Sequence, residues 1–388
     1  MNILLLLLYL LSTIIIVEAT IRQYYIAAEE IDWDYAPQQW DNLRDQPLNQ
    51  SYIARLYTTH NATRLGTIYR KVVYQQYTDN TFTIPITHDR SLGFLGPIIK
   101  AEIGDRIQID FLNKASQPCS LHPHTIELTN SSLAGKSVAP QHGYHYVWDI
   151  PTTVNMPQNQ SSILWVYLSK HDPLVDLNAG LVGPIVIYKQ GYLVKPSPYS
   201  MSATLPGVQE IFTMMMTTDE GLSNYLKKTA ELQQNYYHEN DNNDNNDPIN
   251  QSSPSTYFDV NQLDHLIKTD DLFMESNRMY HVNGYIYNNN KDIRIYYGQP
   301  VRWYIIAFGL EDDDAHTAHW HGASVLYHGH RVDVVDLMPV SFEVVDMVPD
   351  NEGQWLFHCH VASHFDAGMS AFYQVEKLEY TGEEGWDV

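Results

Sequence analysis

The chain has 388 residues, enough for two or three domains and a sizeable core. Its 46 acidic against 23 basic residues leave a net charge of −23, which argues against nucleic acid and anionic membrane surfaces as partners and is compatible with cationic ones. Two cysteines leave room for at most one disulfide.

In chain order, residues 1–19 come first, with apolar runs at 3–11 and 13–17 and a cleavage-like Val17-Glu18-Ala19. Short, N-terminal and followed by polar sequence, this segment reads as a secretory signal peptide, although it lacks an early Lys or Arg. No later run approaches the roughly 18 apolar residues of a membrane span. The mature chain is therefore expected to be soluble and exported. Sequons at Asn49, Asn61, Asn130, Asn159 and Asn250 suit a secreted glycoprotein.

Short aromatic and β-branched runs follow at 24–28, 107–111, 162–168, 183–188, 301–308 and 371–376. Gly, Pro, Asn and Asp punctuate them, the pattern of an all-β sandwich or barrel. Helical periodicity is scarce. The best candidate is 222–234, with Leu222, Tyr225, Leu226 and Leu232 on one face. The stretch 235–255, which includes DNNDNNDP, cannot bury apolar surface and is expected to be a disordered surface loop.

An internal repeat is visible. Ile103-Gly104-Asp105-Arg106-Ile107 leads to His122-Pro123-His124, and Tyr297-Gly298-Gln299-Pro300-Val301 leads to His319-Trp320-His321. Asn178-Ala179-Gly180-Leu181 echoes Asp366-Ala367-Gly368-Met369. Two copies of one β-domain are expected, at 20–194 and 207–388, joined through the Pro/Ser-rich stretch 195–206.

The chemistry concentrates at 355–369, WLFHCHVASHFDAGM, and at 316–321, HTAHWH. Thiolate, imidazole and thioether are the ligand set of a blue copper site. Alternation along a strand would turn His358 and His360 to one face and Cys359 to the other, so one strand could serve two metal sites. A lone Cys between histidines can be a buried structural thiol, but these two strings together are hard to reach by accident. With Cys359 as a metal thiolate, Cys119 is left unpaired and buried, and the fold needs no disulfide.

These residues resemble the multicopper oxidases, in particular the ceruloplasmin and hephaestin branch. The likeness is carried by YYIAAEEIDWDYAP at 24–37, by Leu95-Gly96-Pro97-Ile98-Ile99, Ala101-Glu102-Ile103-Gly104-Asp105 and Asn113-Lys114-Ala115-Ser116, and by Gly180-Leu181-Val182-Gly183-Pro184 and Glu275-Ser276-Asn277-Arg278-Met279-Tyr280. It implies two tandem cupredoxin-like domains of Greek-key β-sandwich form. It implies copper: a type 1 site at His316, Cys359, His364 and Met369, type 2 ligands at His122 and His319, and type 3 ligands at His124, His321, His358 and His360. It also implies a ferroxidase-like oxidoreductase, taking electrons from Fe(II) or another small one-electron reductant and passing them to dioxygen.

Two departures from the family pattern matter. A second His-x-His of the first domain falls on Leu168 and Lys170, which offer no lone pair at neutral pH. His171 could substitute only by a register slip that turns side chains to the other face. At the family's iron site Glu275 matches, but Ser363 stands for an aspartate and Tyr280 for a histidine, with Asp366 and His281 as candidate substitutes. Two-domain members form homotrimers, first domain against the next subunit's second. The alternative is a copper-binding electron-transfer protein with an incomplete trinuclear site.

Overall fold

Between Arg106 and Asn113 buried and more exposed side chains alternate without a break, as a strand with one face in a core requires. Repeated along the chain, this pattern builds two β-sandwiches. The structure is a computed structural model and describes residues 19–124, 135–157, 160–193, 205, 207–243, 258–309 and 314–377.

The first sandwich comprises β1 (Ile21–Asp34), β2 (Ile68–Gln76), β3 (Ile99–Glu102), β4 (Arg106–Asn113), β5 (His122–His124), β6 (Gly143–Asp149), β7 (Ser162–Leu168) and β8 (Val182–Tyr188). They form sheets in the orders β6–β4–β1–β2 and β3–β8–β7–β5. Ile107, Phe111, Trp148, Tyr167 and Ile185 fill the space between them.

The second sandwich comprises β9 (Gln209–Asp219), β10 (Arg278–Val282), β11 (Ile293–Tyr296), β12 (Val301–Phe308), β13 (His316–Trp320), β14 (Val325–Tyr327), β15 (His330–Val332), β16 (Val334–Leu337), β17 (Ser341–Met347), β18 (Gly353–Cys359) and β19 (Ser370–Glu376). Its sheets run β10–β9–β12–β17–β14–β15 and β11–β19–β18–β13–β16, around Trp303, Trp320, Phe357, Cys359 and Tyr373.

The repeat read from the sequence is a repeat of topology. β1 runs parallel to β4 as β9 does to β12, and β3 parallel to β8 as β11 does to β19. All six expected strands are present as β1, β4, β7, β8, β12 and β19. Cys119 and Cys359 are both free and buried. Among the described residues no helix is long and apolar enough to cross a membrane. Residues 1–18, the sequons at Asn130, Asn159 and Asn250, and the expected linker apart from Leu205 lie outside the described residues.

A third apolar cluster joins the sandwiches. Leu164, Val166 and Leu168 of β7 meet Phe212, Tyr304, Phe308 and Val344, and the rings of Phe212 and Tyr304 stack at 4.7 Å with 15° between planes. The expected helix is displaced: Leu222 is exposed on a 3-10 turn, and the helix α3 runs Leu226–Asn243, after α1 (Ala54–Thr58) and α2 (Pro173–Ala179). It therefore enters the stretch expected to be disordered. Leu226 and Ala230 are buried at its start, and once that turn is fixed each further residue adds a hydrogen bond at little cost. Residues 244–257 lie outside the described residues. Further on come α4 (Leu263–Thr269), α5 (Asp271–Ser276) and α6 (Ala362–Asp366).

A fully buried ionic contact also crosses between the sandwiches. Lys71 Nζ donates to Glu220 Oε1 at 2.5 Å and to the Asn178 carbonyl at 2.9 Å, and the Tyr35 hydroxyl donates to the same Glu220 oxygen. The lysine and carboxylate side chains are 0% and 1% exposed. Burial pushes Lys71 down and Glu220 up, and their mutual attraction opposes both shifts. Removing one member strands the other charge, so Glu220→Ala is expected to cost about 3–5 kcal/mol in urea denaturation. Replacing both Lys71 and Glu220 with apolar residues should recover most of that loss.

Candidate metal centre

β13 and β18 lie side by side with Ala318 opposite Cys359 and His319 opposite His358. Partners in an antiparallel pair share a face, and successive residues do not. Ala318, Trp320, Phe357 and Cys359 accordingly enter the core, while His319, His321 and His358 gather on the outer face. Beyond Cys359 the short helix α6 brings His364 back over the thiol. The Met369 amide then donates to the His364 carbonyl at 2.9 Å and the Cys359 amide to the Met369 carbonyl at 3.1 Å. Gly368 makes this return at φ 110°, where an added Cβ would press to 3.0 Å on the Tyr287 ring.

The inner cluster is His316, Cys359 and His364, with ligand atoms all within 4.8 Å of one another. The two Nδ1 atoms are 3.1 Å apart, and Cys359 Sγ is 3.7 Å from His364 Nδ1. Met369, fully buried, lies in the same core. His316 Nε2 donates to the Phe308 carbonyl at 3.0 Å, and His364 Nε2 faces Asp314 Oδ1 at 3.4 Å. The Phe308 carbonyl holds the His316 proton on Nε2 and leaves its Nδ1 lone pair facing the other donor atoms of the cluster. Burial holds both imidazoles below the usual histidine range, so they are neutral at physiological pH. Burial raises the Cys359 thiol, while the Thr317 N–H, 3.4 Å from Sγ, acts the other way. A metal ion binding here must displace that proton.

The outer cluster is His319, His321 and His358. His319 Nδ1 pairs with the Asp333 carbonyl at 2.9 Å and His358 Nδ1 with the Cys359 carbonyl at 2.8 Å, which leaves both Nε2 atoms as lone-pair donors. His321 Nε2 is 3.2 Å from His358 Nε2. His360, on the exposed continuation of β18, has its ring 5.3 Å from that of His319 and 5.7 Å from that of His358. Burial, reinforced by neighbouring imidazoles, pulls His321 down and His358 down to about 4.

His122 and His124 lie on the first sandwich, and among the described residues neither joins these two groups. The His124 ring is 6.1 Å from that of Phe342. Leu168 is the register partner of His122, so at the place equivalent to His358 the first domain carries an isobutyl group. Burial lowers His124, and the Lys170 ammonium lowers it further. His171 Nδ1 is instead 3.0 Å from Ser137 Oγ.

The residues around Glu275 are engaged with one another. Its Oε1 accepts from Tyr57 at 2.9 Å and Tyr280 at 3.3 Å, and Arg278 lies 3.8 Å from Oε2. Asp366 pairs with Arg44 at 3.4 Å. His281 uses both nitrogens, towards Thr218 Oγ1 at 2.8 Å and the Gly284 amide at 2.9 Å. The sequence reading passed over Asp314. Its signal was its place two residues before His316, which on an extended chain is the same side.

A buried thiol, neutral imidazoles and a methionine buried in the same core fit copper, and an all-imidazole cluster beside them fits it as well. Comparison with known proteins agrees. Models of the multicopper oxidase family match residues 87–191 and 252–379. Hephaestin from Rattus norvegicus is 36% identical over 91% of this chain and 28% of its own length. Ceruloplasmin from Homo sapiens is 32% identical over 93% and 31%, and Ferroxidase HEPHL1 from Homo sapiens 33% over 92% and 29%. The chain thus spans less than a third of these relatives. Among solved structures, a multicopper oxidase superposes with a TM-score of 0.54 at 16% identity, covering 92% of this chain and 90% of that one. A copper nitrite reductase from Nitrosomonas europaea superposes at 0.53 and 13%, covering 92% and 94%. These structural likenesses show the cupredoxin-like fold. The chain belongs to the multicopper oxidase family, and within it resembles the ceruloplasmin and hephaestin group.

The His358 shift has a stability consequence. Between the ordinary histidine value and about 4 the unfolded chain binds more protons than the folded one, so acidification through that window destabilises the copper-free protein. In His358→Gln the urea midpoint should fall less steeply with pH over the same window than in the parent.

Proposed function

We propose that this chain is a secreted copper oxidoreductase of ferroxidase type. In this reading His316, Cys359, His364 and Met369 hold a type 1 copper, His122 and His319 are type 2 ligands, and His124, His321, His358 and His360 are type 3 ligands. The observation that carries it is the sharing of β18. Cys359 belongs to the inner cluster and His358 to the outer one, with a single peptide bond between the residues. Copper, when bound, supplies one-electron redox chemistry at the inner cluster and dioxygen reduction to water at the outer one.

The residues around the clusters have assignable work. Apolar packing by Phe357, Trp320 and Val335 excludes water from the thiol. The carbonyls of Phe308, Asp333 and Cys359 fix the imidazole tautomers. The reductant is Fe(II) or another small one-electron donor, drawn to a chain of net charge −23. His321 and His360 are exposed on the second sandwich, and His122 and His124 belong to the first. Completion of the cluster therefore falls to a neighbouring subunit, as in a head-to-tail homotrimer. The apolar N-terminal run and the sequons support export and glycosylation, and the domains are taken as 20–194 and 207–388.

Leu168 beside His122 and Lys170 near His124 favour a second reading, a copper-binding electron-transfer protein without dioxygen reduction. Copper analysis and dioxygen uptake on one sample separate the two. The oxidase reading expects several coppers per chain, the near-ultraviolet band of a coupled pair, and dioxygen consumption with Fe(II). A fully blue protein with one copper per chain and no uptake would reject it in favour of the second reading. Cys359→Ser should abolish the blue band under either.

A further inference from the structure

The two imidazoles of the inner cluster are held in different ways. His316 sits on a strand, fully buried, with Nε2 donating to the Phe308 carbonyl at 3.0 Å. His364 sits on the five-residue helix α6, too short to fix a side chain unaided. What fixes it comes from the segment that leads into β13 and from the opposite sheet. Asp314 Oδ1 lies 3.4 Å from His364 Nε2, nearer than the 4.0 Å that separates it from His316 Nε2, and the Asp314 and His364 side chains are 11% and 12% exposed. The same oxygen accepts from Thr217 Oγ1 at 3.3 Å. The Tyr280 ring lies along the His364 ring at 5.3 Å with 37° between planes, and its hydroxyl donates to Glu275 Oε1 at 3.3 Å.

These two supports share one origin. Thr217 of β9 and Tyr280 of β10 are register partners and so project from the same face of the sheet. One cross-strand pair thus delivers a carboxylate anchor and an aromatic plane to a single imidazole.

We propose that Asp314 and Tyr280 are positioning residues that clamp His364, the carboxylate setting its tautomer and charge environment and the phenol ring its plane. Glu275 belongs to this clamp by holding Tyr280, itself braced by Tyr57 at 2.9 Å. The clamp rests on the reading of His364 as a copper ligand for its redox consequence, and on geometry alone for its effect on the ring. A fixed negative charge next to a ligand imidazole favours the oxidised, more highly charged ion. The carboxylate therefore lowers the reduction potential at the inner cluster.

The experiment uses the full chain in two states. In copper-free protein, nitrogen NMR of the histidines should show His364 as the Nε2–H tautomer in the parent. The same tautomer is expected in Asp314→Asn, which keeps an acceptor oxygen, and a mixture in Asp314→Leu. In copper-loaded protein, Asp314→Asn should keep the blue band and raise the potential by about 60 mV, a tenfold change in the ratio of Cu(I) to Cu(II) affinity. Asp314→Leu should lower Cu(II) affinity by about 10–100-fold. Tyr280→Phe should retain the parent tautomer and potential, and Tyr280→Ala should broaden the His364 signals. An unchanged tautomer in Asp314→Leu, or an unchanged potential in Asp314→Asn, overturns the proposal. If the parent binds no copper, the assignment of function fails, and the copper-free tautomers still decide the clamp.

Discussion

Successive residues of a β-strand face opposite sides, and the candidate metal centre of this chain depends on that rule at β18. Cys359 enters a dry core among Phe357, Trp320 and Ala318, while His358 points the other way into a group of imidazoles. Strand β13 alternates in phase beside it, with Ala318 against Cys359 and His319 against His358. A slip of one residue in either strand would turn the thiol to solvent and an imidazole into the core. The ladder register is therefore as much a part of the site as the donor atoms.

The duplicated domains use the same sheet for different ends. In the first sandwich the outer face of β7 presents Leu164, Val166 and Leu168, and it is buried against the second sandwich. In the second the corresponding strand presents Leu356, His358 and then His360. One copy thus spends this face on packing and the other on a group of imidazoles that could hold a metal ion. Leu168 is the residue where the two uses meet. It is 7% exposed within the joining cluster and is the register partner of His122. An imidazole there would serve a metal, and an isobutyl group serves the interface between domains.

The approach to the inner cluster is likewise built of protein–protein contacts. Glu275, which by resemblance could hold iron, accepts hydrogen bonds from two phenols with Arg278 close by. His281 has both nitrogens engaged in the core. Tyr280, standing where the family has a histidine, lies against the His364 ring. Where the resemblance would place a cation, these residues hold each other and the His364 imidazole.

Much of this was legible in the sequence. Aromatic and β-branched runs punctuated by Gly, Pro, Asn and Asp marked the six expected strands, and the Gly-Asp and His-x-His spacings marked the duplication, because strand formation and turn chemistry are local properties. The spacing within 355–369 determined that a thiolate and flanking imidazoles would face opposite sides of one strand. Three things were decided only by tertiary structure. Sheet packing brings Thr217 and Tyr280 from an opposing sheet to Asp314 and His364, and nothing in their separation along the chain announces it. The joining cluster decides that Leu168 is interface. The burial of Leu226 and Ala230 carries a helix into a stretch whose composition alone predicts none. Local pattern fixes which way a side chain points; what it meets there depends on how the sheets pack.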